Sequence, residues 1–517
     1  MVINRVVIVG GGTAGWLTAG TLAAAFKKRH NNPCSVTLIE SDRIPIVGVG
    51  EGTWPTMRRT LKKMGIRETD FMRECNVAFK QGAKFRQWVT GKKGDAYYHP
   101  LMLPNMHDDM DIMQLCALSE KAEDISFSNS VCPQETLCEN GLAPKLITTP
   151  EYDAVANYAY HLDAGKFSKF LANHCRRNLD VEHIIDDVHA INSAPSGDIA
   201  SVSTNKHGEV AGDLFVDCTG FSSMLLGNHF GIGFKPCNDM LFADSAIAAQ
   251  VPYVSEDTPI STHTISTAMS EGWIWDIGLI NRRGTGHVYS SQYSNEDKAT
   301  QQLIEYIEST GGSANGLDIK KLKFESGYRE EFWHKNCLAI GLSAGFLEPL
   351  EASALLLVEI SATSLAEQFP STRDEMRIAA KRFNKTFTYR WERIIDFLKL
   401  HYVLTKRSDT AFWRDNKRQE SISDSLKELL QIWRYRAPSE DDFMHATEVF
   451  PASSYQFILY GMNYHAMASP YGASEKNKCM VQQLKAQTRH QSRQLLNQLI
   501  PHRELLMKIK RYGLQPI

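Results

Sequence analysis

The 517-residue sequence lacks both a strong excess of one charge and any long apolar run. It has 57 Lys+Arg against 59 Asp+Glu, which gives a net charge of -2 with neutral histidines. A chain so close to neutrality offers no electrostatic attraction to nucleic acid or to an anionic membrane surface. Its apolar stretches fall well short of the ~18 residues that a transmembrane helix needs. We therefore expect neither nucleic acid nor a membrane among its partners.

The sequence has no pattern of paired cysteines, and we expect no secretory leader. The ten cysteines contain no C-x-x-C pair and no regular spacing, which is typical of reduced, mostly buried thiols rather than of a disulfide framework or a metal site. At the N-terminus, the polar residues Asn4 and Arg5 lead directly into a strand-like run, Val6–Val9. These features predict a cytoplasmic protein without a metal site.

What the sequence does contain is a β-α-β pattern in its first 40 residues. A strand at Arg5–Val9 precedes a glycine-rich turn, an alanine-rich helical stretch at Trp16–Lys28 and a second strand at Val36–Ile39. Two strands joined through one helix predict a parallel sheet with a right-handed crossover.

The remainder of the chain divides into two kinds of pattern. Residues 196–291 are alternating and turn-rich, which indicates an inserted antiparallel sheet. After about residue 360, apolar residues recur at the three- and four-residue spacing of a helix face: Met376, Ala380, Phe383, Phe387, Trp391, Ile394 and Leu398. We predict an α/β domain over 1–365 with this inserted sheet on the substrate side, and a mainly helical region over 366–517 that covers the substrate.

The glycine-rich turn fits the G-x-G-x-x-G pattern of a phosphate cradle. It reads Gly10-Gly11-Gly12-Thr13-Ala14-Gly15, and Glu40 ends the second strand. Glycine allows a pyrophosphate to approach the amides of a helix N-terminus, and a carboxylate after the second strand can accept hydrogen bonds from a ribose. The order of these features predicts a dinucleotide site formed by Gly10, Gly12, Thr13, Ala14, Gly15 and Glu40. A purely structural βα turn is the alternative.

Two later segments favour FAD over NAD as the dinucleotide. Asp217-Cys218-Thr219-Gly220 follows a strand, and Gly341–Gly345 reads G-L-S-A-G near the end of the α/β region. An ordinary NAD dehydrogenase needs neither segment, whereas both resemble flavin-contacting segments of FAD monooxygenases. We therefore predict a Rossmann-like FAD-binding domain of the aromatic-hydroxylase type.

Five strings go beyond FAD binding and resemble the flavin-dependent tryptophan halogenase family. They are GGGTAGW at 10–16, VGVGEGT at 47–53, NVAFKQGAKF at 76–85, GWIWDIG at 272–278 and LEPLEASA at 347–354. They occur in the family's order, within a resemblance that runs from residue 1 to about 430. It implies an oxidoreductase that takes reduced FAD (FADH2) from a separate flavin reductase and uses O2 and chloride or bromide to make hypohalous acid. That acid travels through the protein to a lysine beside a small aromatic substrate, where an electron-rich ring is halogenated.

The resemblance also assigns roles to individual residues. Lys80 corresponds to the family's catalytic lysine, which holds or carries the halogen, and Glu351 to the glutamate that stabilises the cationic ring intermediate and takes its proton. A solvated helix lysine and an ion-pair glutamate are the alternatives for these two positions. The halide site falls at Ser353 and Ala354, where backbone N–H groups can hold the ion, and further flavin contacts fall at Glu51, Val188, Leu342 and Leu355.

The tryptophans of the family's W-x-W-x-I-P signature are present, but its proline is not. Trp273 and Trp275 match the pair that keeps substrate away from the flavin, and Gly278 replaces the proline. Core packing of two tryptophans on one strand face is the alternative.

The substrate side departs further from the family. His99 matches a pocket histidine, but Leu101 stands where the family has a phenylalanine that stacks on the indole, a loss of about 1 kcal/mol of stacking. Ile458 stands about where the family has a tryptophan that clamps the amino acid. We expect an electron-rich aromatic, an indole in the first place, rather than free tryptophan.

Other functions stay open at the level of sequence. A single-component aromatic monooxygenase would share the FAD fold but would have no use for Lys80 and Glu351. A non-catalytic flavin-binding protein is favoured only by the departures at Ala352, Gly278 and the substrate clamp. A carrier-tethered substrate would also fit an opened pocket. The sequence does not determine the oligomeric state, and a homodimer is one of the alternatives.

Overall fold

The computed structural model of the chain describes residues 2–28, 34–44, 50–105, 126–445, 447–464 and 475–516. Its strands, in chain order, are β1 (Arg5–Val9), β2 (Ser35–Glu40), β3 (Glu51–Gly52), β4 (Ala78–Lys80), β5 (Gly82–Arg86), β6 (Ala96–Pro100), β7 (Ala159–Leu162), β8 (Glu182–Ile185), β9 (Val188–Ser193), β10 (Ile199–Thr204), β11 (Gly208–Ala211), β12 (Leu214–Asp217), β13 (Phe234–Pro236), β14 (Ser245–Pro252), β15 (Thr264–Ala268), β16 (Gly272–Gly278), β17 (Arg282–Tyr289), β18 (Ile319–Lys323), β19 (Gly327–Arg329), β20 (Trp333–His334), β21 (Cys337–Ala339) and β22 (Gly345–Phe346).

The α-helices alternate with these strands and then follow them. In chain order they are α1 (Thr13–Lys27), α2 (Thr56–Lys63), α3 (Glu68–Glu74), α4 (Phe127–Val131), α5 (Gln134–Glu139), α6 (Ala164–Asn178), α7 (Glu296–Ser309), α8 (Ser353–Glu367), α9 (Arg373–Val403), α10 (Ala411–Asp415), α11 (Asp424–Ile432), α12 (Ala452–Gly461), α13 (Glu475–Gln498) and α14 (His502–Tyr512). Shorter 3-10 turns include Gly341–Ser343 and Leu350–Ala352.

The N-terminal β-α-β prediction is confirmed. β1 pairs in parallel with β2 on one side and with β12 on the other, within a six-stranded sheet of order β20-β21-β12-β1-β2-β8. Helix α1 crosses between β1 and β2 and packs against α6 and α8. Because the carboxyl ends of parallel strands lie at one edge of a sheet, the segments after β1, β2, β12 and β21 gather there.

A second, seven-stranded sheet carries the substrate-side strands. Its order is β18-β14-β17-β16-β15-β5-β6, and it is antiparallel except for the β15–β5 pair. An inserted antiparallel sheet is therefore confirmed, but its bounds differ from the predicted 196–291. Strands β10 and β11 form a separate sheet with β9, and β12 belongs to the parallel sheet, whereas β5, β6 and β18 join from outside that range. A separate three-stranded sheet has the order β3-β7-β4, and its strand β4 ends at Lys80.

Among the described residues that follow β22, the regular elements are all helical, as predicted. The longest is α9, and the apolar face that predicts it is buried: Met376, Ala380, Phe383, Phe387, Trp391, Ile394 and Leu398. The rings of Phe383 and Phe387 stack with centroids 4.0 Å apart. The helix runs five residues beyond Leu398, to Val403, which brings His401 into the interior.

Two further features concern the described residues as a set. None of their helices combines the length and the apolar character that crossing a bilayer requires. Nine cysteines are free thiols, and six of these are buried.

Candidate active site

The phosphate cradle has the backbone geometry that its glycines predict. Gly10 has a φ of +114°, and a Cβ there would lie 2.1 Å from the carbonyl oxygen of Cys218. At Gly12, by contrast, no atom lies within 4 Å of a built Cβ. Helix α1 begins at Thr13 with no side-chain cap and no acidic residue in its first turn. Its first amides are therefore left for an anion such as a pyrophosphate.

A cavity of about 750 Å³ extends from this cradle to the predicted catalytic residues. Both Lys80 and Glu351 line it. Most of the other predicted site residues line it as well: Gly10, Gly12, Thr13, Ala14, Glu40, Glu51, Trp273, Trp275, Leu342, Ser353, Ala354 and Leu355. Those outside the lining are Gly15, Val188, His99, Leu101 and Ile458.

Glu40 ends β2 beside the cradle, where its carboxylate is held by two neighbours. Its Oε2 accepts a hydrogen bond from Trp16 Nε1 at 3.2 Å, and its Oε1 lies 2.8 Å from His183 Nε2. A Cβ at Gly11 would lie only 1.6 Å from Oε2. The carboxylate is thus fixed at the rim of the cradle, as a ribose acceptor requires. His183, which the sequence did not single out, comes from the neighbouring strand β8.

Glu51 and Val188 have different surroundings. Glu51 lies in β3, opposite Leu162 of β7, and desolvation by burial raises the pKa of its carboxyl to about 7. The three residues 47–49 of the VGVGEGT string lie outside the described residues. Val188 begins β9 and pairs with Thr204 of β10, in a separate three-stranded sheet.

Lys80 is a buried strand residue, so the alternative of a solvated helix lysine does not apply. It ends β4, opposite Ala159 of β7, and is only 2% exposed. Its Nζ donates a hydrogen bond to the carbonyl oxygen of Thr53 at 3.2 Å. Desolvation lowers the pKa of the ammonium to about 8, although the negative charge of Glu351 acts in the opposite direction. An amine with this pKa is partly unprotonated near neutral pH.

Glu351 lies in the short turn before α8, in a backbone conformation that L-residues rarely adopt. Its φ is +64°, and that of Ala352 is +56°. Such left-handed non-glycine residues are strained and cluster at functional sites. The side chain is buried, and its Oε1 lies 2.9 Å from His99 Nδ1 and 3.4 Å from His401 Nε2. Burial alone would raise the pKa of this carboxyl, but the two imidazoles more than offset it and hold the pKa well below its usual range.

The two histidines extend the glutamate into a chain of polar groups. His99 Nε2 lies 2.9 Å from Ser454 Oγ, and His401 Nδ1 lies 2.7 Å from the Tyr97 hydroxyl. The chain therefore runs from Ser454 through His99, Glu351 and His401 to Tyr97, all of them buried. His401 and Ser454 were not predicted, because they come from α9 and α12 and carry no local motif. Such a chain can take up a proton at the carboxylate and pass it on.

Trp54 is a further residue that the sequence did not single out. Its indole Nε1 donates a hydrogen bond to the carbonyl oxygen of Glu351 at 3.0 Å, and Lys80 Nζ lies 5.6 Å from its ring centroid. Its ring also contacts His99 and Phe450, at centroid distances of 5.8 and 5.3 Å. One indole thus touches both predicted catalytic residues. The available signal was its place directly after the VGVGEGT string.

The predicted halide position coincides with a helix N-terminus. Helix α8 begins at Ser353, after Ala352, and has no side-chain cap. Ser353 is buried, whereas Ala354 is exposed toward the cavity that it lines. Free amides at the positive end of a 15-residue helix favour an anion.

The two signature tryptophans lie side by side on β16 and both line the cavity. Trp273 Nε1 donates to Glu348 Oε2 at 2.8 Å, and the Tyr402 hydroxyl donates to the same oxygen at 2.8 Å. At Gly278 a Cβ would lie 2.8 Å from Ile260 Cγ2. The local packing therefore explains the missing proline, since Ile260 occupies the space that its ring would need.

Leu101 and Ile458 contact the surrounding protein and do not line the cavity. The Leu101 N–H donates to Gln134 Oε1 at 2.7 Å, and its carbonyl accepts from Asn157 Nδ2 at 2.7 Å. Ile458 is fully buried on α12, one turn after Ser454. Within the described ranges no group of three or more His, Cys, Asp or Glu side chains is placed to hold a metal ion.

Comparison with known proteins finds halogenases that are similar to this chain. A family model described as tryptophan halogenase matches residues 5–476. The tryptophan 6-halogenase SttH of Streptomyces toxytricini is 34% identical, over 89% of this chain and 89% of its own length. The crystal structure of a tryptophan halogenase from Shewanella frigidimarina NCIMB 400 is 43% identical and superposes with a TM-score of 0.95, covering 100% of this chain and 99% of that one. The flavin-dependent halogenase Xcc4156 from Xanthomonas campestris is 31% identical, with a TM-score of 0.85 and coverage of 100% and 99%.

Proposed function

The chain belongs to the tryptophan halogenase family and is a flavin-dependent halogenase, and from this premise we propose that Lys80 and Glu351 direct hypohalous acid onto an electron-rich aromatic ring. The observation that carries the proposal is their convergence. They are 271 positions apart, yet both are buried, both line one cavity and both contact Trp54.

The cofactor of this reaction is FAD in our proposal. The open space at Gly12, the uncapped start of α1 and the fixed carboxylate of Glu40 fit its pyrophosphate and ribose. Reduced FAD from a separate flavin reductase would supply, with O2, the oxidising equivalents that turn chloride or bromide into hypohalous acid. A cytoplasmic location would suit both that reductase and the free cysteines of the described residues.

Each protein group has a separate task in the proposed reaction. The amides at Ser353 and Ala354 hold the halide at the start of α8. Lys80 receives the halogen and presents it in one orientation, because its Nζ is fixed by Thr53 and lies over Trp54. Glu351 is ionised, so it stabilises the cationic ring and accepts the proton that leaves it. His99, which lies 2.9 Å from both Glu351 Oε1 and Ser454 Oγ, can then receive that proton.

For the substrate we propose an indole or related electron-rich aromatic other than free tryptophan. Two of the relatives named above are tryptophan halogenases, but Leu101 removes one aromatic stacking partner and Ile458 offers no polar group to an amino acid. Aromatic surface is nevertheless present beside His99, where the ring of Trp54 contacts that of Phe450 with centroids 5.3 Å apart.

The experiment is a mass-spectrometric search for halogenated products. The enzyme is incubated with FAD, a flavin reductase, NADH and O2 on a panel of indoles, phenols and free tryptophan, with chloride and bromide in parallel. We expect a halogen isotope pattern on an indole, absent with Lys80→Ala. A hydroxylated product formed without halide would contradict the proposal and indicate a monooxygenase. Binding of FAD with no hypohalous acid and no product would indicate a non-catalytic flavoprotein.

A further inference from the structure

Trp54 places an electron-rich ring beside Lys80, the residue proposed to carry the halogen. The Lys80 Nζ lies over the face of the Trp54 ring, 5.6 Å from its centroid. Electrophilic halogenation attacks an aromatic ring through its π face, and indole is the most electron-rich ring among the protein side chains. The approach direction therefore matches the chemistry.

The distance matches as well. Nζ lies 5.6 Å from the ring centroid, and a halogen bonded to Nζ and directed at the ring lies closer to it. The remaining distance between halogen and ring is then close to the ~3–3.5 Å of a near-attack arrangement. One N–H of Lys80 is engaged with the Thr53 carbonyl at 3.2 Å. That bond survives when another hydrogen of the amine is replaced by halogen, so the amine keeps its orientation.

The ring itself is held still and only partly covered. Its N–H donates to the Glu351 carbonyl oxygen at 3.0 Å, and its edge packs on Phe450 at 5.3 Å. Trp54 is nonetheless only half-buried, so part of the ring stays uncovered. The acceptor of this hydrogen bond is the backbone of Glu351, the residue whose carboxylate is proposed to serve the substrate.

We propose that Trp54 is a self-halogenation site: in turnover without aromatic substrate, the halogen on Lys80 is transferred to the Trp54 indole. The inference rests on the proposed function, which supplies the hypohalous acid. In the first step hypohalous acid and the Lys80 amine form an N–halogen bond and release water. In the second, a ring carbon of Trp54 takes the halogen as an electrophile and loses its proton, and the amine is regenerated. A bound substrate ring competes for the same halogen and protects Trp54.

The test is turnover without substrate, followed by peptide mass spectrometry. The full-length enzyme is incubated with FAD, flavin reductase, NADH, O2 and bromide, then digested, and bromine is located by its isotope pair. A soluble trap measures free hypobromous acid in parallel. Trp275 is the internal control, since it lines the cavity and is 8% exposed. We expect bromine on Trp54 in about tenfold excess over Trp275, and a fall of similar size at Trp54 when an accepted indole is added.

Two variants separate transfer from diffusion. Lys80→Ala should lose the bromine on Trp54 while the trap still detects hypobromous acid. Trp54→Phe should leave the digest without the modified peptide and should still release hypobromous acid.

Three results would overturn the inference. They are trapped hypobromous acid with an unmodified Trp54, equal bromination of Trp54 and Trp275, and unchanged bromination of Trp54 in Lys80→Ala. In each of these cases the proposed function survives. Absence of hypobromous acid altogether would instead overturn the proposed function, and this inference with it.

Discussion

Individual residues at this site owe their protonation states to burial and to close neighbours. Desolvation lowers the pKa of Lys80 to about 8, so that about one tenth of the enzyme carries a free amine at pH 7. His99 and His401 keep the pKa of Glu351 low in spite of its burial. An unprotonated amine can accept a halogen, and an ionised carboxylate can accept a proton. The two groups are therefore set in the states that their proposed tasks require.

Replacing Lys80 should separate oxidant formation from substrate halogenation. In Lys80→Ala we expect the halogenated product to disappear while free hypohalous acid still forms, because the amine acts after the oxidant is made. The measurement is product mass spectrometry together with a soluble trap. Lys84→Ala is the matched control, since Lys84 lies four residues on and pairs with the exposed Glu139. Regioselective product from Lys80→Ala would remove this residue from the mechanism.

Replacing Glu351 should slow the step in which the ring loses its proton. Glu351→Gln keeps the shape but removes the negative charge, and we expect product formation to fall by about 10²-fold, the usual scale for such a group. Single-turnover product formation at fixed hypohalous acid output measures this step. Glu367→Gln, an exposed residue at the end of α8, serves as control. A rate close to that of the wild type would assign the proton to another group.

At the scale of secondary-structure elements, strand β4, which ends at Lys80, is fixed from both sides. One side pairs with β7, and on the other the Phe79 N–H donates to His502 Nε2 at 3.0 Å. His502 Nδ1 in turn lies 3.2 Å from the Ile260 carbonyl, which fixes the tautomer. A side chain from α14 thus replaces a missing strand partner next to Lys80. A buried N–H without such an acceptor would be costly.

His502→Phe should therefore loosen β4 and destabilise the fold by about 1–3 kcal/mol, the cost of one unsatisfied buried N–H. Burial lowers the pKa of His502 to about 4, so the native protein binds fewer protons at this site than the unfolded chain between pH 4 and 6.5. Stability from this group is lost as pH falls through that window. Urea unfolding at pH 5 and 7 measures both effects, with the exposed His490→Phe as control. An unchanged midpoint would show that the Phe79 N–H finds another acceptor.

At the end of β16, Gly278 replaces the proline of the family signature and packs closely against Ile260. Because a Cβ at Gly278 would lie 2.8 Å from Ile260 Cγ2, we expect Gly278→Ala to destabilise by about 1–3 kcal/mol through overpacking. The cost should shrink in an Ile260→Ala background, where the colliding methyl is gone. A double-mutant cycle in urea measures the coupling. Additive effects of the two changes would mean that the strand end moves freely.

At the scale of the whole molecule, one cavity connects elements that are distant in sequence. The cradle follows β1, the lysine ends β4, and the glutamate precedes α8. The cradle could be predicted because its signal is local: glycines, helix and acid follow each other within 40 residues. Lys80 and Glu351 could be placed because their flanking strings resemble a known family.

The partners of those residues could not be predicted in the same way. The contacts of Trp54 and His401 with Glu351, of Ser454 with His99 and of His502 with Phe79 join residues that are 50 to 423 positions apart. A lone histidine on an apolar helix gives no sign of the carboxylate that it meets. At Gly278 the sequence shows that the family's proline is absent, but only the position of Ile260 in the structure explains why. Local pattern predicts elements, whereas the site depends on which elements meet.

A buried carboxyl away from Lys80 and Glu351 should contribute to the variation of stability with pH, in the direction opposite to that of His502. Glu359 lies on α8 against α2, where Thr60 Oγ1 donates to its Oε1 at 2.8 Å and its Oε2 has no partner among the described groups. Desolvation raises its pKa from 4.5 to about 7, so the native protein binds more protons here than the unfolded chain between those two values. Stability must therefore fall as pH rises from 4.5 to 7, by on the order of 2–3 kcal/mol from this group. Glu359→Gln should flatten that part of the profile in urea unfolding, and the exposed Glu367→Gln should leave it unchanged. If the two profiles of Glu359→Gln and the wild type have the same slope, the carboxyl is ionised in the native state and α8 tolerates its charge.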